Sequence, residues 1–124
     1  MRLDQDSLAD ILERIALTYE FVKEGRDVFL QSRLIQEAVI RNLEIIGESS
    51  RNISEDLRKN HPEIAWKQIA AFRNFVIHAY WAINLERVWQ IIENDLPPLK
   101  TQIDAVLASF KKDEDEAAKP DSTE

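Results

Sequence analysis

LIQEAVIRNLEIIGESSRNI, residues 34–53, decides the fold class. Leu34, Ile35, Ala38, Val39, Leu43, Ile45, Ile46 and Ile53, with Asn42 and Ser49 among them, recur at steps of three and four and cover more than one helix face. A helix apolar on several sides needs neighbours on several sides, so this segment is expected to be the central helix of a bundle. Gly47 sits inside it, where glycine costs about 1 kcal/mol relative to alanine. The expected reason is the close approach of another backbone or of a ligand. Glu48, next in sequence, is read as a solvated helix carboxylate.

The flanking segments follow the same period. Before it, Leu8, Ile11, Leu12, Ile15, Tyr19 and Val22 mark an amphipathic helix that Asp6 or Ser7 can cap and Gly25 can end. After it, Ser54 can cap a short turn through Lys59, and Asn60-His61-Pro62 breaks the chain, with His61 a loop residue. Proline disfavours helix at the residue before it and suits the start of a new one, so a third long helix is expected from near Glu63. Asn84 resembles an N-cap for Leu85, Val88, Trp89, Ile91 and Ile92, and Pro97-Pro98 is expected to interrupt that helix. Leu99, Ile103, Val106 and Leu107 form a last amphipathic segment. The expectation is an all-α, antiparallel four- to five-helix bundle over residues 1–110, with a disordered charged tail over 111–124.

Composition narrows the function classes. The 124 residues carry no Cys, which excludes disulfides, a thiolate nucleophile and a cysteine metal site. No basic n-region with an apolar run opens the chain, and no run of roughly 18 apolar residues occurs, so a cytoplasmic protein is expected. Net charge is −7, which argues against a general nucleic-acid coat. The tail holds three basic and six acidic residues, so the body carries −4. A site acting on RNA would therefore depend on a few local cations. No Gly-rich phosphate loop is present, and two His without Cys do not suggest structural zinc.

The chemistry concentrates in FRNFVIHAYW, residues 72–81. On a wheel of about 100° per residue with Arg73 at zero, Ile69, Phe72, Phe75, Val76 and Ala79 form a core side. Tyr80 lies about 20° from Arg73, and Asn74 and His78 fall near 100° and 140°. With them lie Trp66, Ala70, Ile77 and Trp81, apolar side chains that a monomeric bundle would leave in water. A second copy related by a two-fold axis is the simplest cover, making a homodimer whose seam holds two copies of Arg73 and His78. Arginine offers a planar, permanently charged fork for phosphate oxygens, and histidine exchanges protons near neutrality. These are parts for metal-free RNA cleavage by 2′-hydroxyl attack, with Asn74 orienting the imidazole or a phosphate oxygen. Lys67, Arg41 and Trp81 are candidate RNA contacts.

The segment from Arg73 to Tyr80 matches the R-x4-H-x-Y signature, and the chain resembles the HepT-like HEPN-domain proteins through about Leu107. Gln36-Glu37-Ala38, Ile45-Ile46-Gly47-Glu48, Pro62 with Trp66, and Val88-Trp89 before Leu96-Pro97-Pro98-Leu99 support the likeness. The resemblance implies a homodimeric, metal-independent endoribonuclease acting on tRNA or mRNA, the toxin of a type VII toxin-antitoxin pair. It implies that Arg73 and His78 are catalytic with Asn74 beside them, and that no cofactor is used. It further implies an antitoxin similar to the minimal nucleotidyltransferase MntA, which transfers AMP from ATP to Tyr80. Many relatives carry an acidic residue where Asn84 stands, a difference expected to touch the cap and leave the chemistry alone. Two other readings stand beside this one. The chain can be a non-catalytic HEPN partner that presents substrate or nucleotide to a nucleotidyltransferase, or an interaction module in which Arg73 pairs with a core carboxylate such as Glu48 and His78 is structural.

Overall fold

The computed structural model describes residues 3–74 and 84–118. Among these there is no β-strand. The helices are α1 (Asp4–Phe21), α2 (Arg26–Gln31), α3 (Arg33–Arg51), α4 (Glu55–Asn60) and α5 (Trp66–Ala70), which tightens into a 3-10 turn at Ala71–Arg73. Then come α6 (Leu85–Gln90), a π-helical turn at Ile91–Asp95, and α7 (Leu96–Ala118). The all-α expectation holds.

Contacts between helix ends give the directions. Asp4, at the start of α1, accepts from the backbone N–H of Ser54 at 2.8 Å and from its hydroxyl at 2.6 Å, just beyond the end of α3. Gln5 donates to Glu114 near the end of α7 at 3.1 Å. The start of α1 thus meets the ends of both α3 and α7, so it runs antiparallel to each. Between them lie Leu8, Ile11 and Ile15 of α1, Val39, Leu43 and Ile46 of α3, and Leu96 and Ile103 of α7, all fully buried. Burying each such side chain is worth roughly 1.5–3 kcal/mol, against at most about 1 kcal/mol for an exposed ion pair. The apolar seams therefore hold the bundle. The surface pairs Lys23–Glu20, Lys59–Glu55 and Lys100–Asp104 decorate it.

The structure corrects several boundaries. α1 begins at Asp4 with Leu3 at the cap position, so neither Asp6 nor Ser7 caps it, and Ser7 is buried. α1 ends at Phe21 with Val22 at its C-cap, so Gly25 does not end it; at φ 100° Gly25 instead stands at the cap position of the short helix α2, which periodicity over so few residues did not reveal. There Phe29 is buried with its ring 5.4 Å from that of Trp89, and the Gln36 amide donates to its carbonyl at 2.9 Å. Ser54 and Asn84 cap as expected, accepting from Leu57 N–H at 3.2 Å and Arg87 N–H at 3.1 Å. Leu34 is 79% exposed, so the apolar cover of α3 is less complete than its composition suggests.

Pro97 and Pro98 do not interrupt the helix. The turn before them widens, with Leu96 N–H donating to Ile91 C=O five residues back. That wider register directly precedes the prolines, which are the second and third residues of α7. Helix also continues past residue 110 into the charged segment expected to be disordered, reaching Ala118 with residues 111–117 all exposed.

Candidate active site

Gly47 brings the site together. A Cβ built on it would stand 2.9 Å from the backbone nitrogen of Arg73, 3.1 Å from the carbonyl oxygen of Ala70 and 3.3 Å from the Cβ of Arg73. Only glycine lets α3 lie this close to the backbone of the 3-10 turn. The close approach inferred for Gly47 is therefore that of the segment bearing Arg73.

Over its described residues, that segment departs from the regular helix expected from near Glu63. It starts at Trp66 rather than Glu63, since the chain turns at Pro62–Ala65 and Trp66 N–H bonds to Ile64 C=O at 2.9 Å. It then tightens at Ala71–Arg73. Ile69 of α5 and Phe72 of the 3-10 turn are both buried, as the wheel requires. Trp66 departs from its expected place on the exposed side: it is half-buried against the core, and its indole N–H donates to His61 C=O at 3.0 Å. His61 itself lies in the connection, its Nδ1 3.2 Å from the Glu63 carboxylate.

Arg73 closes the 3-10 turn with its side chain 32% exposed, and its Nη1 donates to Glu48 Oε1 at 3.1 Å. Glu48 is 55% exposed, so the pair stands in solvent at the rim rather than in the core. It contributes at most about 1 kcal/mol to stability. Asn74 follows, exposed, with its backbone N–H bonded to the carbonyls of Ala71 and Phe72. The guanidinium has five N–H donors, and the Glu48 contact occupies one of them. Arg73 thus places a part-exposed charged fork at the rim, and the exposed Asn74 follows it in sequence. His78, Tyr80 and Trp81 lie outside the described residues, as do Phe75, Val76, Ile77 and Ala79 of the wheel.

Two further candidate RNA contacts are in place on the surface. Arg41 lies on the exposed face of α3 and pairs with Glu44 at 2.6 Å. It stands two turns before Glu48, roughly 10 Å along the axis. Lys67, also exposed, borders a shallow hollow with Pro62, Ile64, Ala65, Trp66, Gln68 and Ala71. The structure thus brings Arg73 against α3, with Asn74 exposed beside it in sequence and Arg41 farther along α3. Sequence alone identified Glu48 only as a solvated carboxylate or a core partner of Arg73. It is both solvated and a partner, and the signal was its position directly after a mid-helix glycine.

Residues 11–106 match the family described as ribonuclease HepT-like. The chain belongs to the HepT-like ribonuclease family. It is 44% identical over 100 residues to a protein of Thermococcus cleftensis named "Probable ribonuclease HepT", covering 80% of this chain and 91% of that one. A Methanocaldococcus jannaschii protein with an inferred RNase name is 40% identical over 100 residues, covering 80% of this chain and 92% of its own. A Caldanaerobacter subterraneus protein, named likewise, is 31% identical over 112 residues, covering 90% of this chain and all of its own length. No solved structure matches the chain. The HepT-like match makes the chain an endoribonuclease of the HEPN class, and it spans α1 to α7, so it includes both Gly47 and the Arg73 turn.

Proposed function

We propose that this HepT-like chain is a metal-independent endoribonuclease that cuts tRNA or mRNA at a composite site on a homodimer seam, with Arg73, Asn74 and His78 as its working residues. The observation that carries the reading is the Arg73 rim, where a part-exposed guanidinium, paired among the described residues with Glu48 through one of its five donors, stands on a turn fixed by backbone contact with Gly47.

In the reaction, the 2′-oxygen of the substrate attacks the adjacent phosphorus while a base takes its proton. The bond from phosphorus to the 5′-oxygen breaks, and an acid protonates that oxygen. The products are a 2′,3′-cyclic phosphate and a 5′-hydroxyl. Arg73 holds the phosphoryl oxygens, and its charge is most valuable as they gain negative charge in the transition state. His78 transfers a proton, and the partner's copy or water supplies the other transfer. Asn74 orients the imidazole or a phosphate oxygen. A structural ion pair with Glu48 is the competing role for Arg73, but a pair this exposed stabilises too little to explain a guanidinium kept at an accessible edge.

The regulatory half of the proposal concerns Tyr80. A cognate MntA-like nucleotidyltransferase attaches AMP to its hydroxyl, adding bulk and negative charge close to where an RNA phosphate would sit. The chain is then the toxin and that enzyme its antitoxin, both acting in the cytoplasm.

Cleavage of RNA by the purified chain in the presence of a chelator tests the first half. Arg73→Ala and His78→Ala are each expected to lower the rate by about a hundredfold or more. Wild-type cleavage by either variant would sink the assignment. For the second half, intact mass is measured before and after incubation with the nucleotidyltransferase and ATP. A mass increase of one or more AMP units that silences cleavage is expected, and Tyr80→Phe should escape both.

A further inference from the structure

We propose that Glu48 is a positioning residue that aims the Arg73 guanidinium at the scissile phosphate; this rests on the catalytic reading of Arg73 given above. The backbone around the pair is fixed while the side chain is not. Gly47 seats α3 directly on the backbone of Arg73, so the first carbon of the Arg73 side chain is anchored against the helix. Beyond that carbon the side chain is long, 32% exposed and free to sample many rotamers. Glu48 follows the seating residue, and its Oε1 takes one Nη1–H at 3.1 Å. That contact selects a single orientation of a planar group and, among the described residues, takes one of its five donors. The same half-exposed position that makes the pair weak as a stabiliser lets a phosphate share the guanidinium with Glu48, because solvent screens the repulsion between the two anions. Glu48 therefore acts on the reaction through Arg73 and has no need to touch RNA.

The expected behaviour of Glu48→Ala is a fall in kcat of about tenfold to a hundredfold with little change in KM, since misaimed charge is lost chiefly in the transition state. Its unfolding midpoint stays within about 2 °C of the wild type, as befits an exposed pair. Glu48→Gln keeps an oxygen that accepts the Nη1–H and should recover most of the rate. In an Arg73→Lys background, whose ammonium has no fork to aim, Glu48→Ala should add no further loss. The inference is overturned if Glu48→Ala cleaves at the wild-type rate, if Glu48→Gln is as impaired as Glu48→Ala, or if the loss persists undiminished beside Arg73→Lys. Arg73→Ala separates the role of Arg73 from that of Glu48. An active Arg73→Ala defeats the catalytic reading itself, whereas an inactive Arg73→Ala beside a fully active Glu48→Ala defeats only the role given to Glu48.

Discussion

Gly47 shows how one missing Cβ can organise a site. Alanine there would gain about 1 kcal/mol of helix propensity. Against that gain, its methyl would strike the backbone nitrogen of Arg73 at 2.9 Å and the carbonyl of Ala70 at 3.1 Å. Neither atom can swing aside as a flexible side chain could, and overpacking of this kind costs typically 1–3 kcal/mol. Gly47→Ala is therefore expected to lower the unfolding midpoint by several degrees in a thermal melt. It should reduce RNA cleavage further than the loss of folded protein explains, because the displaced atoms belong to the turn that carries Arg73. A variant that melts higher than the wild type and cleaves normally would show that α3 and the turn can part without cost.

Among the elements, the two connections that the sequence marks with capping residues behave alike, and the one it marks with prolines does not. Ser54 and Asn84 accept the N–H three residues ahead, as short side-chain acceptors do at helix starts. Asn84→Ala should cost about 1 kcal/mol, and Asn84→Gly only a few tenths. For a chain of this length the alanine variant is expected to melt about 4 °C lower, with the glycine variant close to wild type. Equal losses would mean that the Asn84 side chain does more than cap. Pro97-Pro98 reads locally as a break. The π-helical turn at Ile91–Asp95 absorbs it, and α6 and α7 follow one another without a loop. Where that turn falls depends on seating Ile91, Ile92, Leu96 and Leu99 in the core together, all of them buried, and no local propensity encodes it.

At the scale of the whole molecule, charge and packing act on separate parts. The bundle is held by buried apolar residues of α1, α3 and α7. The net charge of −7 opposes an RNA ligand. Much of that opposition lies in the exposed end of α7 and the residues after it, where residues 111–124 hold three basic and six acidic side chains. Ending the chain at residue 110 should leave the unfolding midpoint within about 3 °C, since residues 111–117 are exposed and Gln5 meets Glu114 at the surface. The shortened chain should bind RNA a few-fold tighter at low salt, with the difference fading as salt rises, as expected for screened charges. A large drop in the midpoint would instead make this segment part of the fold, and salt-independent tightening would point to a blocked site.

The all-α class, the central place of α3, the caps at Ser54 and Asn84 and the meaning of Gly47 could all be read from residue type and spacing. Each is a local or periodic property, repeated often enough along the chain to stand out. The same holds for the R-x4-H-x-Y pattern with its flanking segments, which was sufficient to indicate the family. The onset of α5 at Trp66, its tightening at Ala71–Arg73, the burial of one side of Trp66 and the passage of the helix through Pro97-Pro98 were decided by tertiary structure. In each case a local preference competes with the need to bury Ile64, Ile69, Phe72, Leu96 and Leu99 in one shared core, and burial at roughly 1.5–3 kcal/mol per side chain outweighs the preference. Tertiary structure also placed Glu48 against Arg73, 25 residues apart, because only the docking of α3 on the turn brings them within hydrogen-bond reach.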